Sequence, residues 1–203
     1  MKISVIAAGL AATTLVVGVA VDGCSSKKSS TPSSSSSSSA SSSTSATSSS
    51  AAAQPTDYSA LLIKASDIPG EAFTMQPPQL NPGGKPGVAA TFANQDASRT
   101  IVDTILVLPS ASDAGGALDS TKTAAGPAVS GGTPQPIDVG TGGTMLTGTS
   151  PDGAKAITIL MFSEGTGVAT IEFDSAANDP VPQDGALDIA RKQDAAIKNG
   201  LPG

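Results

Sequence analysis

The apolar and polar positions divide the chain into three parts with different patterns. Residues 3–21 are almost all apolar or small, residues 25–54 are almost only Ser, Ala and Thr, and periodic patterns begin near residue 55. A tract with so few large apolar side chains cannot offset the entropy lost on ordering it, so we predict that residues 24–54 form a disordered tether. Residues 55–203 have the length of one domain, and we predict a single domain there.

Helical spacing of apolar residues predicts a short helix at the start of this domain and a main helix in its middle. The short helix follows Asp57, which can act as a cap, and carries Tyr58, Leu61 and Leu62. The middle helix begins at Ser110 or Ser112 and ends at Gly126-Pro127. Its sheet-facing stripe comprises Ala114, Ala117, Leu118 and Thr121.

A second main helix closes the chain. We predict that it begins at Asp184, as the capping residue, and ends near Asn199, just before Gly200. Its inward face comprises Ala186, Ile189, Ala190, Gln193 and Ile197.

Alternating or continuous apolar runs predict six strands separated by turn residues. The predicted strands are residues 88–93, 100–108, 137–139, 144–149, 155–162 and 168–174. Residues 155–162 have no polar face, so we expect a central strand covered on both sides. Residues 76–87 are rich in Pro and Gly and are predicted to be a loop without regular structure. The order of elements predicts an α+β fold, a mostly antiparallel sheet of about six strands with two main helices packed on it.

Composition excludes many kinds of site. The chain has no His and one Cys, which excludes internal disulfides, Cys/His zinc sites, Ser-His-Asp catalysis and haem ligation through His or Cys. Three of the 11 Lys and Arg residues and one of the 17 Asp and Glu residues precede Pro55, so the domain carries 8 basic and 16 acidic side chains. Such an acidic surface repels phosphate backbones, and we expect no nucleic-acid partner. We expect no cofactor, no metal and a monomer.

Three carboxylates are candidates for chemistry in the predicted sheet. Asp103 shares a strand face with Ile101, Ile105 and Val107, so we expect it to be partly buried or at a sheet rim, as a solvated or hydrogen-bonded residue. Glu172 and Asp174 share the outer face of one strand, roughly 7 Å apart. They could bind Ca²⁺ or act as an acid pair, and the alternative is a solvated edge face.

Two short motifs resemble catalytic or phosphate-binding patterns without completing them. Gly83-Gly84-Lys85 lacks both the upstream glycine of a phosphate loop and the Ser or Thr after the lysine. Ser25 and Lys28 have Ser-x-x-Lys spacing, but they lie in the tether, where nothing holds their geometry. We therefore predict no catalytic residue.

The N-terminal segment has the layout of an export signal. Lys2 precedes the apolar run, and Val21-Asp22-Gly23-Cys24 closes it. This end resembles a bacterial lipobox, which implies that residues 1–23 are a signal peptide and that Cys24 is lipidated on sulfur and becomes the membrane anchor. Asp22 departs from the lipobox pattern, in which that position is usually small and uncharged. An uncleaved signal anchor and free secretion after a cut upstream of Asp22 are the alternatives.

The lipobox, the Ser-rich tether and the order of elements resemble the Lpq and Lpp surface lipoproteins of mycobacteria, in particular those with a PsbP-like domain. The resemblance implies a lipid-anchored protein on the extracytoplasmic side of the cell membrane. It also implies a non-catalytic binding or adaptor module for an envelope lipid, a small ligand or a partner protein. The alternative function is an envelope hydrolase using carboxylate or Ser/Lys chemistry.

Small residues on both main helices leave two possibilities for the core. The residues are Ala114, Ala117, Ala186 and Ala190. Either the helices pack very close to the sheet, or an apolar gap remains that could hold an acyl chain. With close packing, we expect a protein partner to bind the outer sheet face with Glu172 and Asp174, or the loop at residues 76–87.

Overall fold

The structure is a computed structural model and describes residues 57–201. The predictions for the signal peptide, for Cys24 and for the tether lie outside the described residues. Within residues 57–201, no helix is both long enough and apolar enough to cross a membrane.

The described residues form an eight-stranded antiparallel sheet, which confirms the predicted α+β fold. The strands are β1 (Phe73–Met75), β2 (Gln79–Leu80), β3 (Gly87–Asn94), β4 (Thr100–Val107), β5 (Gln135–Pro136), β6 (Thr141–Thr149), β7 (Lys155–Glu164) and β8 (Gly167–Ala176). Their order across the sheet is β1-β3-β4-β8-β7-β6-β5, and β2 pairs with the outer edge of β3 beside β1. The six predicted strands do not include β1 and β2, which are short and lie at one edge, or β5, which lies at the other edge.

The two main helices, α1 (Ala111–Ala125) and α2 (Gln183–Gly200), pack on opposite faces of the sheet. The predicted inward face of α2 is confirmed, because all five of its residues are buried. Leu118 of α1 packs with Ile159 and Met161 of β7, whereas Ile197 of α2 belongs to the cluster with Leu160 and Phe162 of the same strand. The strand is therefore covered on both sides, as its lack of a polar face predicted.

The segment after Asp57 is not the short helix that its spacing predicts. It forms two 3-10 turns, Ser59–Leu61 and Ala65–Asp67. The buried amide of Gln193 replaces the missing helical bonds, since its Nε2 donates to the Leu61 carbonyl at 2.7 Å and its Oε1 accepts from the Ile63 N–H at 3.1 Å. A bond to α2 thus satisfies backbone groups that would otherwise extend a helix.

Three further boundaries differ from the predictions. Residues 137–139 are not a strand; β5 lies just before them, and the Ile137 N–H donates to the Gly143 carbonyl at 3.0 Å across an irregular start of β6. The region 76–87 is not wholly irregular, because it contains β2 and a 3-10 turn. Asp184 is not the cap of α2, which begins one residue earlier after Pro182. Ser110 is the cap of α1, and its Oγ accepts from the Asp113 N–H at 3.1 Å.

Candidate functional site

A cleft of about 740 Å³ opens at one end of the sheet. Three segments form its walls: residues 68–73 leading into β1, the turn between β3 and β4, and the link from β8 into the first turns of α2. The antiparallel pairings bring these segments together, because β3 pairs with both β1 and β4, and β4 pairs with β8. The volume lies within the range of pockets that hold small molecules.

The floor of the cleft is apolar. Ile101 of β4 and Phe173 of β8 are direct cross-strand neighbours, and both are buried. Ile189 of α2 packs in the same cluster, and further apolar side chains come from Ile68, Phe73 and Val181. The floor can therefore accept a hydrocarbon group without leaving a polar atom unpaired.

The rim carries a connected polar network centred on Asn94, which is only 9% exposed. Its Nδ2 donates to Glu71 Oε2 at 2.8 Å and to Ser98 Oγ at 3.0 Å, and its Oδ1 accepts from the Arg99 N–H at 3.0 Å. Ser98 in turn donates from Oγ to Asp96 Oδ1 at 2.7 Å. The side chains of the rim are thus held in place before any ligand arrives.

Arg99 joins two walls of the cleft. Its guanidinium donates to Asp179 Oδ2, and it lies 3.5 Å from Glu71 Oε1. The hydrogen bond with Asp179 raises the pKa of Arg99, and the bonds from Ser98 lower the pKa of Asp96. Among the described residues that line the cleft, three acidic side chains accompany this one basic side chain.

The first turn of α2 leaves room at the cleft. Gly185 lines it, and a Cβ built on this glycine would meet no atom within 4 Å. A larger side chain at this position would therefore occupy cleft volume without disturbing the core.

The structure contradicts the expected environment of Asp103. The residue is not at a rim or half-buried; it is 0% exposed, and its two carboxylate oxygens have no hydrogen-bond partner within residues 57–201. Burial raises its pKa from an ordinary 3.8 to about 8. Asp103 pairs with Ile171, two positions along the strands from the Ile101–Phe173 pair of the cleft floor, and does not itself line the cleft.

Glu172 and Asp174 lie on the opposite face of β8 from the cleft. As predicted, they alternate with inward-facing residues, but both are half-buried rather than fully solvated. Asp174 Oδ2 accepts from Lys155 Nζ at 2.7 Å. Burial raises the pKa of Glu172, and the charge of Asp174 raises it further. In the described part of the chain no three potential metal-ligating side chains come together, so the structure adds no support for a Ca²⁺ site.

The other candidates lie away from the cleft. Gly83 and Gly84 form an exposed turn with positive φ angles, and neither they nor Lys85 line the cleft. Ala114, Ala186 and Ala190 are 0% exposed inside the two core clusters. This favours close packing of the helices over an apolar gap beneath them, and none of these three alanines lines the cleft.

Sequence patterns do not predict the residues that make the cleft. Residues 94–99 lie between two predicted strands, and Glu71, Arg99 and Asp179 belong to no motif. These three residues are far apart in the sequence, and no spacing rule connects them. An Asp-x-Ser pattern at residues 96–98 is a local turn signal, but it does not indicate a ligand site.

Comparisons with known proteins found one structural likeness. No family model matches the chain, and no curated protein matches it either. The extracellular domain of PknH from Mycobacterium tuberculosis has a similar structure, with a TM-score of 0.50 and 10% sequence identity. The match covers 69% of this chain and 94% of that one. At this identity the likeness concerns the fold alone.

Proposed function

We propose that the domain is a non-catalytic module that binds a small, largely apolar ligand on the extracytoplasmic side of a bacterial cell membrane. In this proposal the signal is cut before Cys24, a lipid on Cys24 holds the protein at the membrane, and residues 25–54 tether the domain. The proposal places the chain with the Lpq/Lpp-type surface lipoproteins that it resembles. The fold likeness to an extracellular domain of a mycobacterial protein supports the same location.

The cleft is the observation that carries this proposal. It combines an apolar floor with a rim whose polar groups are fixed by one another, which is the usual composition of small-molecule sites. A concave site of this volume suits a lipid or small ligand better than it suits a partner protein, which usually binds a flatter surface. Membrane attachment through a flexible tether would hold the cleft near a source of lipid.

The chemistry of the rim favours binding over hydrolysis. The hydroxyl that contacts a carboxylate there is Ser98, which donates to Asp96. This bond lowers the pKa of Asp96, whereas a general base at neutral pH needs a raised one. Asp96 is therefore poorly suited to activating Ser98 as a nucleophile.

Filling the cleft at Gly185 tests the proposal. We expect Gly185→Leu to weaken binding by at least about tenfold, which is about 1.4 kcal/mol of lost affinity, and thereby to reduce the amount of co-purifying ligand. After the ligand has been extracted from both proteins, the melting temperature of the variant should not be below that of the parent, because the new side chain enters open space and Leu favours helix more than Gly. Organic extraction of the purified full chain, followed by mass spectrometry, measures the ligand.

Gly116→Leu is the matched control for this experiment. Gly116 also lies in a helix with open space around its Cβ, but in α1 on the other sheet face. Gly116→Leu should retain the same amount of co-purifying ligand as the parent. Equal amounts in the parent and in both variants, or no bound molecule in the parent, would contradict a ligand role for the cleft.

Substitution of Cys24 tests the membrane attachment. Cys24→Ala removes the sulfur that would carry the lipid, so we expect the protein to lose incorporated fatty acid and to move from the detergent phase to the aqueous phase. Metabolic labelling with a fatty-acid analogue and detergent phase partitioning measure the two effects. If the variant still partitions fully into detergent, the apolar segment at residues 3–21 is the anchor instead.

A further inference from the structure

We propose that the cleft selects an amphiphile with one hydrocarbon chain and an uncharged, hydroxyl-rich head group, such as a sugar or polyol. The inference rests on the proposed function, since it names the ligand class for the same cleft. The floor would hold the chain, and the network of Glu71, Asn94, Arg99 and Asp179 at the rim would hold the head group.

The charge of the rim disfavours an anionic head group. Glu71, Asp96 and Asp179 face the cleft with a single basic residue, Arg99, so the formal charge of the lining is negative. Arg99 is already engaged by Asp179 and lies close to Glu71. A carboxylate or phosphate on the ligand that binds Arg99 would lie beside both of these acidic residues, whose charges already offset that of the guanidinium.

The pairing of the rim also disfavours a cationic head group. Each acidic residue already has a partner: Glu71 accepts from Asn94, Asp179 accepts from Arg99, and Asp96 accepts from Ser98. A cation would lie next to the Arg99 guanidinium and would lose its own hydration on entering the cleft. The repulsion by Arg99 and the lost hydration oppose the attraction that the negatively charged lining exerts on a cation.

Hydroxyl groups fit the rim without breaking any of these bonds. A guanidinium has five N–H donors and a carboxylate has about four acceptor positions, so both keep capacity beyond their present contacts. Arg99 and Asp179 both line the cleft, and their side chains are 29% and 62% exposed, so a ligand can reach both. A hydroxyl can accept from Arg99 and donate to Asp179 at the same time, which joins it to the existing network.

Binding of three amphiphiles with similar twelve-carbon chains tests the inference. The probes are dodecyl maltoside, laurate and dodecyltrimethylammonium, each titrated into the full chain below its micelle concentration and followed by calorimetry. Binding to Gly185→Leu under the same conditions is subtracted as the signal from outside the cleft. We expect dodecyl maltoside to bind at least about tenfold more tightly than either charged probe.

A variant of the rim provides the second measurement. Asp179→Asn removes one negative charge from the rim of the cleft. Asp179 is exposed, so the domain should stay folded. The preference for the maltoside over laurate should fall several-fold, because laurate then meets less negative charge. Asp188→Asn is the control, because Asp188 is also half-exposed and paired with a basic side chain, yet it does not line the cleft. It should keep the full preference.

The outcomes separate this inference from the proposed function. Equal affinity for the three probes, with binding lost in Gly185→Leu, would overturn the head-group selectivity and leave the ligand-binding cleft intact. Tighter binding of laurate or of dodecyltrimethylammonium would also overturn the selectivity. No binding of any probe would overturn both proposals.

Discussion

The domain should become less stable as the pH rises from about 4 to about 8, and Asp103 should cause much of this change. In the folded state burial raises the pKa of Asp103 to about 8, whereas in the unfolded chain it is near 3.8. Between these values the folded state keeps a proton that the unfolded chain has released, so the free energy of unfolding falls with increasing pH. The maximum slope for one group is about 1.4 kcal/mol per pH unit, which amounts to several kcal/mol across the window.

Asp103→Asn tests this prediction because it keeps the shape of the side chain and removes the titrating proton. We expect the difference in the free energy of unfolding between the parent and Asp103→Asn to change steadily between pH 4 and pH 8. The parent should become less stable relative to the variant as the pH rises. Urea denaturation at a series of pH values measures it. Burial also raises the pKa of Glu172 and of Asp194, so the parent's total slope includes their contributions, and the difference from the variant isolates Asp103.

A control carboxylate makes the pH experiment specific. Asp184 is exposed in the first turn of α2, and Asp184→Asn should follow the parent's slope. If the parent and Asp103→Asn show parallel curves over the whole range, Asp103 is ionised in the folded state and has a partner or solvent access, contrary to the structure.

Ala190→Leu should destabilise the domain by about 1 to 3 kcal/mol, because it adds volume to a closely packed core. Ala190 is 0% exposed and belongs to the cluster between α2 and the sheet, together with Phe162 and Ile171. For a domain of this size each kcal/mol lowers the melting temperature by about 2 to 4 °C. Differential scanning calorimetry measures the change.

Ala117→Leu is the matched substitution on the other helix. Ala117 is only partly buried at the edge of the smaller cluster, so we expect a cost below about 1 kcal/mol. A neutral or stabilising effect of Ala190→Leu would show that space remains between α2 and the sheet, which is the apolar gap that the small residues also allow.

The elements that the sequence predicted well are those that their own side chains specify. The β3–β4 hairpin, the buried strand β7 and the inward face of α2 follow from apolar residues repeated at the period of a strand or a helix. Such a pattern arises whenever one face of an element is buried, and it does not depend on which other element covers that face. The α+β class follows from the same local patterns and their order along the chain.

The predictions that were wrong concern residues whose state depends on a distant partner. The segment after Asp57 has helical spacing, but Gln193 of α2 takes its backbone hydrogen bonds and holds it in 3-10 turns. Asp103 has the strand pattern of a residue at a rim, but the buried cluster on its sheet face removes it from water; this cluster includes Ile101, Ile105 and the cross-strand neighbour Ile171. In each case the outcome depends on contacts between segments that are distant in the chain.

The sequence by itself determined the fold class, the inward faces of the main elements and the chemistry that one cysteine and no histidine exclude. The sequence around Cys24 also resembles a lipobox, from which Asp22 departs. Only the tertiary structure decided where a ligand could bind, because Glu71, Arg99 and Asp179 meet through the pairing of β1, β3, β4 and β8. The physical reason is that periodicity reports burial over a few residues, whereas a cleft is formed by contacts between residues that are distant in the chain.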